Sequence, residues 1–88
     1  MVNKNMVKKK TVNKKMEADL RVELGNRLKE LRKARGMKQR EMAAAMSLQL
    51  RQYQRYEYGE IGYPLEVLNY FADYFGVTTD YLLGRGEG

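Results

Sequence analysis

Glycines at positions 36, 59, 76 and 84 each close a short stretch that suits a helix, and this punctuation confines the chain to a series of short helices. The first stretch carries Leu20, Leu24, Leu28 and Leu31 at spacings of four, four and three, which is one apolar stripe. Glu23, Arg27, Lys29, Glu30 and Lys33 occupy its other faces, with Asp19 as the expected N-cap and Glu23 with Arg27 as an expected i,i+4 pair. A second helix is expected over Gln39 to Met46, rich in alanine, with Met42, Ala43 and Met46 on one side and Arg40 and Glu41 facing elsewhere. After a break at Ser47-Leu48-Gln49, Leu50 to Tyr58 forms a third. Pro64 opens a fourth from a first-turn position, with Leu65, Leu68, Phe71, Ala72 and Phe75 as its stripe. Thr78 or Thr79 caps a last turn through Asp80, Tyr81, Leu82 and Leu83. No strand alternation and no internal repeat occurs, so the expected fold is all-α, a compact five-helix bundle over residues 20–84.

Its 88 residues suffice for one domain only. With neither cysteine nor histidine, disulfides, zinc fingers and imidazole catalysis are excluded, and stability must come from packing. No run of about 18 apolar residues is present to cross a bilayer. The formal charge is +6, and residues 1–20 hold six lysines against Glu17 and Asp19, so most of that excess lies at the start of the chain. That start has no helical or strand periodicity, and we expect residues 1–19 to be a disordered basic arm. It serves either as a solvated tail or as an arm on DNA phosphates. Residues 85–88 are expected to be a flexible tail. Met1 to Lys15 lacks the apolar block of a secretory signal, which makes the cytoplasm the expected location.

Two short helices joined by about three residues, the second with a long-armed polar face, suit the major groove. At about 100° per residue, the third helix gathers Arg51, Gln54, Arg55 and Tyr58 in one arc and Tyr53 and Tyr56 in the opposite one. Arginine offers two parallel donors to guanine, and glutamine pairs a donor with an acceptor for adenine. Arg51, Gln54 and Arg55 are therefore candidate readers, against the alternative of an ordinary solvated face. Tyr58 either touches a phosphate or covers the helix end. By their spacing, Tyr53, Tyr56, Tyr70 and Tyr74 are expected in or beside the core.

The segment Gln39 to Gly59 resembles the helix-turn-helix of the Cro/repressor (Xre) family. The similarity runs from about Leu24 to Gly84 and includes Arg32 ahead of Arg35-Gly36, Gln39, Met42-Ala43, Glu57-Tyr58-Gly59 and Phe75-Gly76-Val77-Thr78-Thr79-Asp80-Tyr81-Leu82-Leu83-Gly84. The resemblance implies a lambda-repressor-like DNA-binding domain, dimeric and bound to palindromic operators. It implies that Gln39 touches a phosphate, with Arg40 beside it in the DNA-binding set. It places Leu50, Arg51 and Arg55 where bases are read, and it makes Arg32 and Glu57 a partly buried ion pair.

The chain departs from that pattern at several points. Lys38 stands where a capping Ser or Thr is usual, although Glu41 keeps the other half of a capping box. Ser47 replaces the common turn glycine, Gln49 replaces another cap, and Glu60 puts an acid where many relatives hold phosphate with Lys or Arg. The expected function is a sequence-specific double-stranded DNA-binding transcriptional regulator, a repressor acting as a homodimer. The apolar turn at Tyr81 to Leu83 is covered either by its own domain or by a second subunit. The alternative is an antitoxin or protein adaptor on the same scaffold. No Gly-rich phosphate loop or convergent acidic pair suggests an enzyme, and no catalytic residue, metal or cofactor is expected.

Overall fold

A computed structural model describes residues 14–86, and among them the chain forms five α-helices and no strand. They are α1 (Lys14–Ala34), α2 (Gln39–Ala45), α3 (Leu50–Glu57), α4 (Leu65–Phe75) and α5 (Thr79–Leu82). All four glycines expected to end helices sit at positive φ, between 68° and 79°. Thr78 caps α5, its hydroxyl accepting the Tyr81 N–H at 2.9 Å. Pro64 is the N-cap of α4 rather than its first helical residue.

The boundaries of the ends differ from expectation. Helix α1 begins at Lys14, so Asp19 lies inside the helix and cannot be its N-cap, and residues 14–19 belong to α1 rather than to an arm. Inside the expected tail, the Arg85 N–H donates to the Asp80 carbonyl at 2.8 Å, which ties that residue to α5. The remainder of the expected arm and tail, residues 1–13 and 87–88, lies outside the described residues.

The core is built from one face of each helix. Leu24 and Leu28 of α1, Met42 and Ala43 of α2, Tyr53 and Tyr56 of α3, Phe71 of α4 and Leu82 of α5 are all buried. The ring of Phe71 meets those of Tyr53 and Tyr56 edge-on, with centroids 6.3 and 6.0 Å apart, which ties α4 to the inner side of α3. Tyr63 joins this cluster from the loop before α4, donating its hydroxyl proton to the Tyr56 carbonyl at 2.8 Å. Burial pushes the Tyr63 phenol well above its usual range, so it stays a donor.

Several apolar residues are not where their spacing suggested. Leu20 is 43% exposed and stands at the rim of a cleft. Leu65 is 80% exposed, because the buried stripe of α4 starts only at Leu68, one turn later. Tyr70 is exposed because two residues beyond Leu68 amount to about 200° of rotation, which turns it away from the core. In place of the expected Glu23–Arg27 side-chain pair, the Arg27 guanidinium donates to the carbonyls of Glu23 and Leu82, each at 3.4 Å. The fully buried Leu82 and this link bind α5 to α1, so the last turn is largely covered within its own chain.

Close backbone approach fixes α3 against α1. At Gly25, a Cβ would lie 2.3 Å from the Glu57 carbonyl oxygen. Gly59 combines a φ of 74° with a site where a Cβ would lie 2.7 Å from Val22 Cα. Both positions exclude any larger residue for steric reasons, and together they set the end of α3 on α1.

Candidate nucleic-acid interface

The turn between α2 and α3 is held by backbone hydrogen bonds, with the Ser47 N–H donating to Ala44 and the Leu48 N–H to Ala43. Ser47 adopts φ 58°, the left-handed region that costs a residue with a Cβ about 1–2 kcal/mol. At the start of α2 the Lys38 N–H donates to Glu41 Oε1 at 2.8 Å, which satisfies one orphan donor without a capping side chain at position 38. This compact joint sets the angle between the two helices.

Helix α3 divides sharply into two faces. Tyr53, Tyr56 and Glu57 are buried, while Arg51, Arg55 and Tyr58 are exposed and Gln54 is half-buried. Arg51, Gln54, Arg55 and Tyr58 line one shallow surface depression together with Glu60. Of the other expected site residues, Arg40 is exposed on α2, and Leu50 is half-buried at the first position of α3. Neither lines that depression.

Beneath this surface lies a buried polar network centred on Glu57. Arg32 donates from Nε to Glu57 Oε2 at 2.7 Å and from Nη2 to Oε1 at 3.0 Å, a two-pronged pair in which both residues are over nine-tenths buried. The Tyr53 hydroxyl donates to Oε2 at 2.5 Å, and Gln39 Nε2 donates to Oε1 at 2.8 Å. The carboxylate thus accepts four hydrogen bonds, close to its full capacity. Burial pushes the Glu57 carboxyl upward, but the hydrogen bonds from Arg32, Tyr53 and Gln39 outweigh it and hold the group below the usual carboxylate range. Burial first, and then Glu57, raises the Tyr53 phenol far above its ordinary value. Arg32 also donates from Nη1 to the Met37 carbonyl at 2.8 Å, which fixes the loop that delivers α2.

Gln39 connects this network to the outer surface. Its amide nitrogen faces the Glu57 carboxylate, which requires a donor there, and it also reaches the Tyr58 hydroxyl at 3.2 Å. Its oxygen accepts from Gln54 Nε2 at 3.0 Å. Both amide protons of Gln39 are therefore engaged within the protein. In this structure Gln39 holds the start of α2 against α3.

Outside the network, Arg55 Nε lies 3.8 Å from Glu60 Oε1, with both side chains about half exposed. The backbone delivers Glu60 to this place, since its N–H donates to the Arg55 carbonyl at 2.9 Å. Sequence spacing could have suggested the Tyr53–Glu57 bond, which is an i,i+4 pair, but it gave no sign of the Gln39–Gln54 link or of the Gly25 contact. Those join segments 15 and 32 residues apart.

A family model described as a helix-turn-helix domain matches residues 23–82. The chain belongs to the helix-turn-helix family. The match spans all of α2 to α5 and most of α1, and it agrees with the Cro/repressor resemblance. No curated protein and no solved structure matched the chain. In helix-turn-helix terms α2 and α3 are the motif's two helices, and membership points to a DNA-binding regulator. Among the described residues no helix is long and apolar enough to cross a membrane.

Proposed function

We propose that this helix-turn-helix protein is a sequence-specific double-stranded DNA-binding transcriptional regulator, acting as a repressor, that reads the major groove with α3. The supporting observation is the outward projection of Arg51, Gln54 and Arg55 from one side of α3 while Tyr53 and Tyr56 anchor the other side in the core. In this reading Arg51 and Arg55 present paired donors to guanine, and Gln54, held by Gln39, presents its amide to a base edge. Leu50 offers an apolar contact at the leading end of the helix. Gln39, Arg40 and Tyr58 flank the readers on the phosphate side. Two copies bind a palindromic operator with half-sites about one helical turn apart. The cytoplasm is the proposed location.

Selection of bound duplexes from a random library, with wild type and Arg51→Ala, tests this directly. Loss of preference at one or two base positions supports direct readout by Arg51. A uniform loss reassigns it to phosphate, and no enrichment by the wild type rejects the reading.

One observation favours a second reading, in which the same face docks an antitoxin's target or another protein. Glu60 already neutralises Arg55, which weakens the field offered to a polyanion. Salt separates the two: duplex binding weakens with a log-log slope of about −0.9 per phosphate contact, whereas neutral docking responds weakly.

A further inference from the structure

Away from α3, a cleft of about 190 Å³ opens between α1, the loop before α4, α4 itself and the end of α5. Leu24, Tyr63, Leu68 and Leu83 form its apolar wall, and Leu20 stands exposed at its rim. Its volume is below the roughly 300–1,000 Å³ of small-molecule sites and suits inserted side chains. Two charged residues of opposite sign complete the rim, Glu17 and Arg21, one turn apart on α1. They make only a loose contact with each other, Arg21 Nη1 to Glu17 Oε1 at 4.0 Å. Arg21 Nε is shielded from water and has no hydrogen-bond acceptor, a costly state for a charged donor.

We propose that this cleft is the face through which two copies of the chain pair, with Glu17 of each copy meeting Arg21 of the other. It rests on the two-copy reading above and adds the surface. A two-fold contact requires one patch to be complementary to itself, so that residue i meets j and j meets i. A rim with one acid and one base beside an apolar hollow and a protruding leucine meets that requirement. In the paired state Leu20 of one copy enters the hollow of the other, and the Glu17 carboxylate meets the solvent-facing part of the Arg21 guanidinium, whose side chain is 31% exposed. Residues 1–13 carry four lysines and no acid, so their charge complements Glu17 alone and offers nothing to Arg21, whereas a second copy complements both. The cleft shares no residue with the depression on α3, so pairing leaves Arg51, Gln54 and Arg55 open.

Light scattering over a concentration series tests the pairing with wild type, Glu17→Arg, Arg21→Glu and the double reversal. Wild type is expected to dimerise, and each single reversal to weaken pairing on the order of tenfold, since it sets like charges against each other. The double reversal and an equimolar mixture of the two single variants are expected to restore it, because both regain opposite charges across the axis. Restoration in the mixture also shows that both single variants are folded. A monomeric wild type, a dimer indifferent to both reversals, or a mixture no better than its components overturns the proposal. So does a dimer lost only on removing residues 1–13. Duplex binding measured on the same samples keeps the questions apart: a wild type that binds no duplex refutes the DNA reading and leaves the pairing result standing.

Discussion

Gly25 of α1 lies directly against the backbone carbonyl of Glu57, leaving a separation of only 2.3 Å for any Cβ placed there. The obstacle is main chain, with the Tyr56 carbonyl a further 2.9 Å neighbour, so no side-chain rotation relieves it. Gly25→Ala must push α3 away from α1. We expect a loss of about 1–3 kcal/mol, the usual range for an overpacked core, read as a lower urea midpoint. An unchanged midpoint refutes the close approach.

Glu57→Ala removes the acceptor of four hydrogen bonds and strands Arg32 in a buried site. Losing one partner of such a pair costs about 3–5 kcal/mol. Arg51 is exposed on the same helix, and Arg51→Ala should stay within about 0.5 kcal/mol of wild type. Thermal melting compares them, and equal shifts reject the structural role assigned to Glu57.

The same carboxylate predicts how stability depends on acid. Its folded value is held below the ordinary one of 4.5, after the hydrogen bonds of Arg32, Tyr53 and Gln39 overcome the opposing effect of burial. A group depressed in this way contributes fully above its unfolded value, and that contribution fades as pH falls toward the folded value. Between neutrality and pH 4.5 this contribution is therefore nearly constant, and below 4.5 it declines. Glu57→Gln should be less stable at neutral pH and lose less on acidification. Parallel stability profiles for the two proteins below pH 4.5 contradict the depressed value.

Helix order and faces were legible because each depends on local periodicity. Tyr53 and Tyr56 fall opposite Arg51 and Arg55 by rotation alone, and Thr78 and Gly76 mark ends through their own chemistry. Burial along a stripe was less legible, since Leu20 and Leu65 carry the right spacing but sit where no neighbouring helix covers them. Spacing reports the direction of a side chain and not the reach of its neighbours. The interior of the site was hidden for a related reason. Gln39 bonds to Glu57 and Gln54 only once α2 and α3 are packed, so the residue expected on phosphate also ties the two helices of the motif together. The start of α1 was less legible because, from Lys14 to Asp19, Met16 alone extends the stripe, four residues before Leu20, and it is 55% exposed.

Glu60 is the acid beside the proposed readers, and its removal has a distinct signature. Its contact with Arg55 is 3.8 Å between half-exposed side chains, a pair worth about 0–1 kcal/mol, so Glu60→Gln should leave the melting temperature nearly unchanged. On DNA the substitution frees Arg55 and removes a negative charge that repels phosphate. Affinity for any duplex should rise severalfold at low salt, and the log-log salt slope should steepen by up to about 0.9 if Arg55 gains one phosphate. Because that gain is independent of sequence, operator and random duplex should gain by the same factor, and the ratio of their affinities should hold. If Arg55 reads a base edge instead, the operator gains more than the random duplex and the ratio rises. A Glu60→Gln protein whose duplex affinity and salt slope both match wild type shows that the acid does not screen the face of α3.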